Sequence, residues 1–251
     1  MKEWLDAQSL NSFTAYSTAH LAALMIFALL LAALFLSRHW LRDRRRCAIT
    51  RYALAAVLML CEISLNAWYL SENMFDVSST LPLELCTVSL YMCVAMLLLR
   101  SRAVFQIVYF TGIGGAMQAI LTPVLYYDFP HFRFIEFFAA HFAIILAVLH
   151  MVWVERFRPT MKSIAVTMVF LNLLAGVVYA VNIVTGGNYM FLSRKPETAS
   201  LLDFLGPHPW YLLSLEGVVL ILCLLLYLPF AGKKPMPASH PQRSVTEHLD
   251  M

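Results

Sequence analysis

Residues 14–37, TAYSTAHLAALMIFALLLAALFLS, contain no Asp, Glu, Lys or Arg. A run of that length and polarity crosses a bilayer core as a helix, because a helix satisfies its backbone N–H and C=O groups without water. Six further apolar runs follow, at about 52–71, 81–99, 103–126, 134–155, 163–185 and 209–230. The expected fold is therefore an all-α integral membrane protein, a bundle of seven transmembrane helices. The chain is 61% hydrophobic and 13% charged, about half the charged fraction of an ordinary soluble domain. The opening residues carry Glu3, Trp4 and Asp6 ahead of a run too long for a signal-peptide core, so they read as mature chain.

Charge fixes an expected orientation. The first connection, SRHWLRDRRRCAITR, holds six arginines; the third has Arg100 and Arg102, the fifth has Arg156, Arg158 and Lys162, and GKKP follows the last run. The alternate connections are poor in basic residues: SENMFDVSST has none and YYDFPHFRF has one. The positive-inside rule then sets the N-terminus outside and the C-terminus in the cytoplasm. The net charge of +3 reflects these loops, and no nucleic-acid partner is expected. The chain divides into an extracytoplasmic segment 1–13, a membrane domain 14–230 with a structured outer loop 186–208, and a cytoplasmic tail 231–251 expected to be disordered. Four of the five cysteines (Cys61, Cys86, Cys93 and Cys223) sit in apolar runs and Cys47 in the first basic connection, so no disulfide framework is visible.

With that orientation, polar residues gather in the outer half. Glu84 and Cys86 open the third run, with Pro82 fitting the first helical turn. Gln118 follows the flexible TGIGG, and Glu136 and His141 lie in the fifth run. Glu62 and Asn66 share a helical face, Asn182 ends the sixth run and Glu216 lies one to two turns into the seventh. The inner half offers Gln106 and His150, both near the ends where side chains reach water. Ionisable groups in lipid are costly and face a bundle interior or cavity. The outer loops add His131 and Arg133 in DFPHFRF, and Asn188, Tyr189, Arg194, Lys195, Asp203 and His208 in the 186–211 connection. Arg194 and Lys195 at an outer interface suit a phosphate head group.

The ordered motifs LPLELC, FPHFRFIEFF..H, NYMFL..KP and SLLD.LGP.PWYLLSLE resemble the bacterial YwaF-like family of multispanning membrane proteins, over about residues 52–230. The chain is similar, more distantly, to the eukaryotic transmembrane protein 164 family. That resemblance implies a cysteine-dependent transfer of fatty acyl chains between glycerophospholipids, in a bacterial plasma membrane, with Cys86 matching the family's nucleophile.

Thiol-based acyl transfer needs a base, an orienting group and oxyanion donors. His141, at a depth similar to that of Cys86, is the expected base, and Glu216 or Glu62 the expected orienter. The N-terminus of the third helix supplies backbone N–H groups beside Cys86. Glu84, Gln118, His131, Arg133, Glu136, Asn182, Asn188, Tyr189, Lys195, Asp203 and His208 are the expected substrate contacts, and a membrane phospholipid the expected partner. No cofactor or resident metal is called for. Cys93, two turns from Cys86 and about 10 Å away, reads as packing. Two other classes fit the residues: a lipid or small-molecule binding protein with an outward pocket, and a zinc hydrolase using His131, His141 and His208.

Overall fold

A computed structural model describes residues 4–7, 12–195 and 201–232. The tail from 233 onward, expected to be disordered, lies outside the described residues. Seven helices account for the core: α1 (Thr18–Ser37), α2 (Arg44–Ser71), α3 (Leu85–Leu99), α4 (Arg102–Leu121), α5 (Phe132–Trp153), α6 (Met161–Thr185) and α7 (Trp210–Tyr227). Short 3₁₀ turns lie at Trp40–Arg42, Tyr189–Phe191, Leu201–Leu205 and Leu228–Phe230.

Six helices are long and apolar enough to cross a membrane; α3 is shorter. Its 15 residues rise about 22 Å, less than the roughly 30 Å of a hydrocarbon core. The third apolar run begins at 81, yet its first residues stay non-helical. Pro82 therefore precedes the helix instead of occupying its first turn, and Glu84 is the N-cap, with ψ 145°. The second helix departs in the other direction. Asp43 accepts the Arg46 N–H at 3.2 Å and caps α2 two turns before the apolar run, so RRRC is helical. α4 stops at Leu121 because Thr122 precedes a proline and leaves the helical region.

α5 is the central column. It packs on α1, α2, α3 and α4, and 67% of its most apolar window is buried, against 17% for α6 and 11% for α7. Those two helices turn apolar faces outward, as lipid-facing helices do. α4 contacts α3, α5, α6 and α7. Its glycines allow close approach: a Cβ on Gly112 would meet Ile144 Cγ2 at 3.2 Å and Val148 Cγ2 at 3.3 Å. One end of the bundle holds the arginine-rich connections. The other holds the connections 72–84 and 122–131 and the segments 186–195 and 201–209.

Candidate functional site

At the end opposite the arginines, the loop after α6 is built onto the segment before α3. Tyr189 is buried, and its hydroxyl donates to the Val77 carbonyl at 2.7 Å and accepts from the Leu81 N–H at 2.9 Å. Asn188 gathers the loop by accepting the Ser193 and Arg194 N–H groups at 3.1 and 3.0 Å and donating to the Arg194 carbonyl at 2.9 Å. The Glu84 carboxylate accepts the Met190 N–H at 3.2 Å. It therefore does not cap α3, and no side chain does. Cys86 is the second residue of that uncapped helix, half-buried, with Gly115 of α4 facing its sulfur: a Cβ on Gly115 would stand 3.8 Å from Sγ. A cavity of about 220 Å³ lies between Glu84, two residues before Cys86, and the loop after α6, lined also by Ser78, Asn188, Tyr189, Phe191 and Arg194; Cys86 itself is not in its lining.

Between α2, α3 and α5 lies a polar network centred on the buried Glu62. The Glu62 carboxylate accepts from Asn66 Nδ2 at 2.9 Å and from the Tyr91 hydroxyl at 2.8 Å. Glu136, within electrostatic reach of Glu62, pairs with Arg133 one turn before it. His141 is buried, and its Nδ1–H donates to the Phe137 carbonyl at 2.6 Å, which leaves Nε2 as the basic nitrogen.

The remaining expected site residues are dispersed. His131 caps α5 by accepting the Arg133 N–H at 3.1 Å and bonds the Asp6 carbonyl at 3.2 Å. Burial holds its pKa below the ordinary histidine value, aided by the Arg133 charge. His208 and Lys195 both lie against the Tyr211 ring, the His208 ring centroid at 5.9 Å and Lys195 Nζ at 5.7 Å. Gln118 is exposed and bonds Thr122 just past the end of α4, and Asp203 is exposed on the 3₁₀ turn. Glu216 is exposed on α7, which packs on α4 and α6, and hydrogen bonds nothing among the described residues. The Phe137 carbonyl, not Glu216, orients His141. His131, His141 and His208 do not converge as a zinc hydrolase would require.

Among the described residues, the group able to hold a metal by geometry is at the arginine end: Cys47, His150 and Glu155, with ligand atoms within 4.8 Å of one another. The thiol donates to Glu155 at 3.2 Å and lies 3.8 Å from His150 Nε2. The sequence reading put Cys47 in a loop and let His150 reach water. In the structure α2 starts early enough to carry Cys47 inward, and α5 packing leaves His150 fully buried. The unbroken sequence from the Asp43 cap through RRRCAIT into the apolar run was the available signal.

Long apolar helices around a buried polar centre, with a structured loop over one end, define a multi-pass helical membrane protein. The chain belongs to the TMEM164 family, whose model matches residues 15–227. Neither a curated relative nor a solved structure matches it.

Proposed function

We propose that this protein is a membrane-embedded acyltransferase that moves fatty acyl chains between glycerophospholipids through a thioester on Cys86. The observation that carries this reading is the N-terminus of α3. Glu84 turns its carboxylate to the Met190 N–H, so the first-turn N–H groups beside Cys86 are left without a side-chain cap. A thiol there gains from the positive end of the helix, and the same N–H groups suit the oxyanion of a tetrahedral intermediate. The cavity between Glu84 and the loop after α6, lined also by Arg194, suits a glycerophosphate head.

In the first half-reaction the Cys86 thiolate attacks an ester carbonyl of the donor lipid. The C–O bond to glycerol breaks, the lysolipid alkoxide takes the proton that the base removed from the thiol, and an acyl thioester remains. In the second, an acceptor hydroxyl attacks the thioester, loses its proton to the base, and releases the thiolate. His141 is the proposed base, supported by its Phe137 hydrogen bond, which fixes the tautomer with Nε2 unprotonated. By the positive-inside rule the arginine end is cytoplasmic, which sets this chemistry in the outer leaflet of the plasma membrane.

The second reading is a non-catalytic lipid-binding protein. It draws support from Asn182, Asn188 and Tyr189, whose polar groups are committed to holding the loop. Intact-protein mass spectrometry after incubation with phospholipid separates the two. The transferase reading expects a hydroxylamine-labile acyl adduct on wild type that is missing from Cys86→Ser. No adduct with any of several lipid classes, together with normal cellular function of Cys86→Ser, overturns it in favour of binding.

A further inference from the structure

The arginine end of the bundle contains a larger cavity, about 550 Å³, lined chiefly by Arg42, Arg44, Arg51, Arg100, Cys47 and Glu155. Three separate pieces of chain build it: the turn and first helical turns of α2, the residue that ends α3, and the two residues past α5. Arg100 caps α3 in the left-handed region at φ 51°, which directs the chain back toward α4. It follows Cys86 by 14 residues, about 21 Å along the helix axis. The cavity is therefore separate from the thiol of the proposed acyl transfer.

Its electrostatics are one-sided. Four guanidinium groups face one carboxylate. That carboxylate is already engaged, because Glu155 accepts from Arg51 Nη1 at 3.3 Å and is held by both Nε and Nη2 of Arg100. Arg51 is only 8% exposed, yet among the described residues its Nε–H has no acceptor, and the buried Nε–H of Arg42 has none either. Buried donors of a charged group are costly to leave unmade. Two such donors on the wall of one cavity need acceptor oxygens that the described residues do not supply.

A cation would meet the wrong field. Cys47, His150 and Glu155 have ligand spacing, but four guanidiniums surround them and Glu155 is neutralised by two of those. An anion reverses each objection. A phosphate group presents several acceptor oxygens and up to two charges, and guanidinium forks match it in a bidentate way. We propose that this cavity binds a phosphate group, borne either by a phospholipid head group in the leaflet at the arginine end or by a soluble phosphorylated molecule. Glu155 serves as the positioning residue that holds Arg51 and Arg100 in place, and Cys47 lies on the cavity wall as a reporter of occupancy.

The test uses the full chain, purified in detergent and separately in nanodiscs. Inorganic phosphate is titrated at constant ionic strength against chloride, with melting temperature as one readout and the N-ethylmaleimide labelling rate of Cys47, resolved by peptide mass spectrometry, as the other. Phosphate is expected to raise the melting temperature saturably and to slow Cys47 labelling several-fold while Cys86 labelling is unchanged. The double variant Arg42→Gln, Arg44→Gln, on the less buried side of the cavity, is expected to lose both effects. Nanodiscs of phosphatidylcholine are then compared with nanodiscs that also contain phosphatidic acid, without free phosphate. Protection by phosphatidic acid assigns the head-group source; protection by free phosphate alone assigns a soluble ligand. Absence of a phosphate-specific effect on either readout overturns the proposal. So does protection by zinc in place of phosphate, which would make the cluster a metal site. Because Cys86 acylation is not measured, failure here leaves the acyl-transfer reading standing, and failure of that reading leaves this one standing.

Discussion

Asn182 and Tyr189 exchange two hydrogen bonds across the turn that ends α6. The amide Nδ2 donates to the Tyr189 carbonyl at 3.0 Å, and Oδ1 accepts the Tyr189 N–H at 2.9 Å. Both residues are buried, so the side chain supplies what water cannot reach. Asn182→Ala leaves a buried donor and a buried acceptor unmade, at a cost of about 2 kcal/mol. The expected outcome is a lower melting temperature in detergent and faster proteolysis between residues 186 and 195. An unchanged protease pattern would show that the loop is held by Tyr189 and Asn188 without this pair.

His131 carries a pH-dependent share of stability. Its Nδ1 accepts the Arg133 N–H and must be unprotonated to do so. Burial, with the Arg133 charge, lowers its pKa, while the Asp6 carbonyl, Asp6 and Glu72 pull the other way. A histidine whose folded pKa is depressed binds fewer protons folded than unfolded. The stability it confers is therefore complete above the ordinary value of about 6.5 and is lost as pH falls below it. Wild type is expected to lose melting temperature between about pH 7.5 and 5.5. His131→Asn, which can still cap α5 without titrating, should show a flatter profile. Parallel profiles for the two proteins would remove His131 from the account.

What the sequence made legible follows from local rules. Run length and polarity gave the apolar helices, and the four-residue spacing of Glu62 and Asn66 put both on one face, where they bond. The TGIGG stretch read as flexible, but it lies inside continuous α4, and its last glycine, Gly115, faces Cys86, a neighbour that no local rule names. What was not legible depends on which helices touch. Tyr91 meets Glu62 across 29 positions, and Cys47 meets Glu155 across 108. A single chain's periodicity carries no information about that adjacency. The arginine run hid Cys47 for a second reason: consecutive charges read as a solvated loop unless the capping aspartate is noticed.

The contact between Gly115 and Cys86 gives a steric test. A Cβ at Gly115 would lie at ordinary van der Waals distance from Sγ and from Leu85 Cδ2, both 3.8 Å, so Gly115→Ala is expected to be near neutral. Gly115→Leu adds branched volume over the sulfur and costs about 1–3 kcal/mol if the helices do not separate. Its expected signature is at least tenfold slower alkylation of Cys86 with Cys47 labelling unchanged. Equal labelling in wild type and Gly115→Leu would mean that the thiol is reached from another side.

Glu155 ties three helices together through one charge. It pairs with Arg51 of α2 and with Arg100 at the end of α3, and stands just past α5; its side chain is 3% exposed, Arg51 10% and Arg100 58%. The exposed partner contributes little, because water and salt screen it. The buried one matters more, since Glu155→Gln leaves the Arg51 guanidinium inside the bundle without a counter-charge, a loss of about 2 kcal/mol. Burial alone would raise the pKa of Glu155. Hydrogen bonds from Arg100 and Cys47 and the charges of Arg100 and Arg51 outweigh it and leave the pKa lowered. A carboxylate depressed in this way confers stability that is present above its unfolded pKa, about 4.3, and is lost as pH falls through the folded value. Wild type should therefore show, beyond the His131 loss at higher pH, a further drop in melting temperature below about pH 5, whereas Glu155→Gln starts lower and lacks that acid step. In Arg51→Met the pairing is gone from the other side, so adding Glu155→Gln should cost less than it does in wild type. Additive losses would mean that Arg51 and Glu155 are neighbours without being partners, and Arg100 alone would then hold the carboxylate.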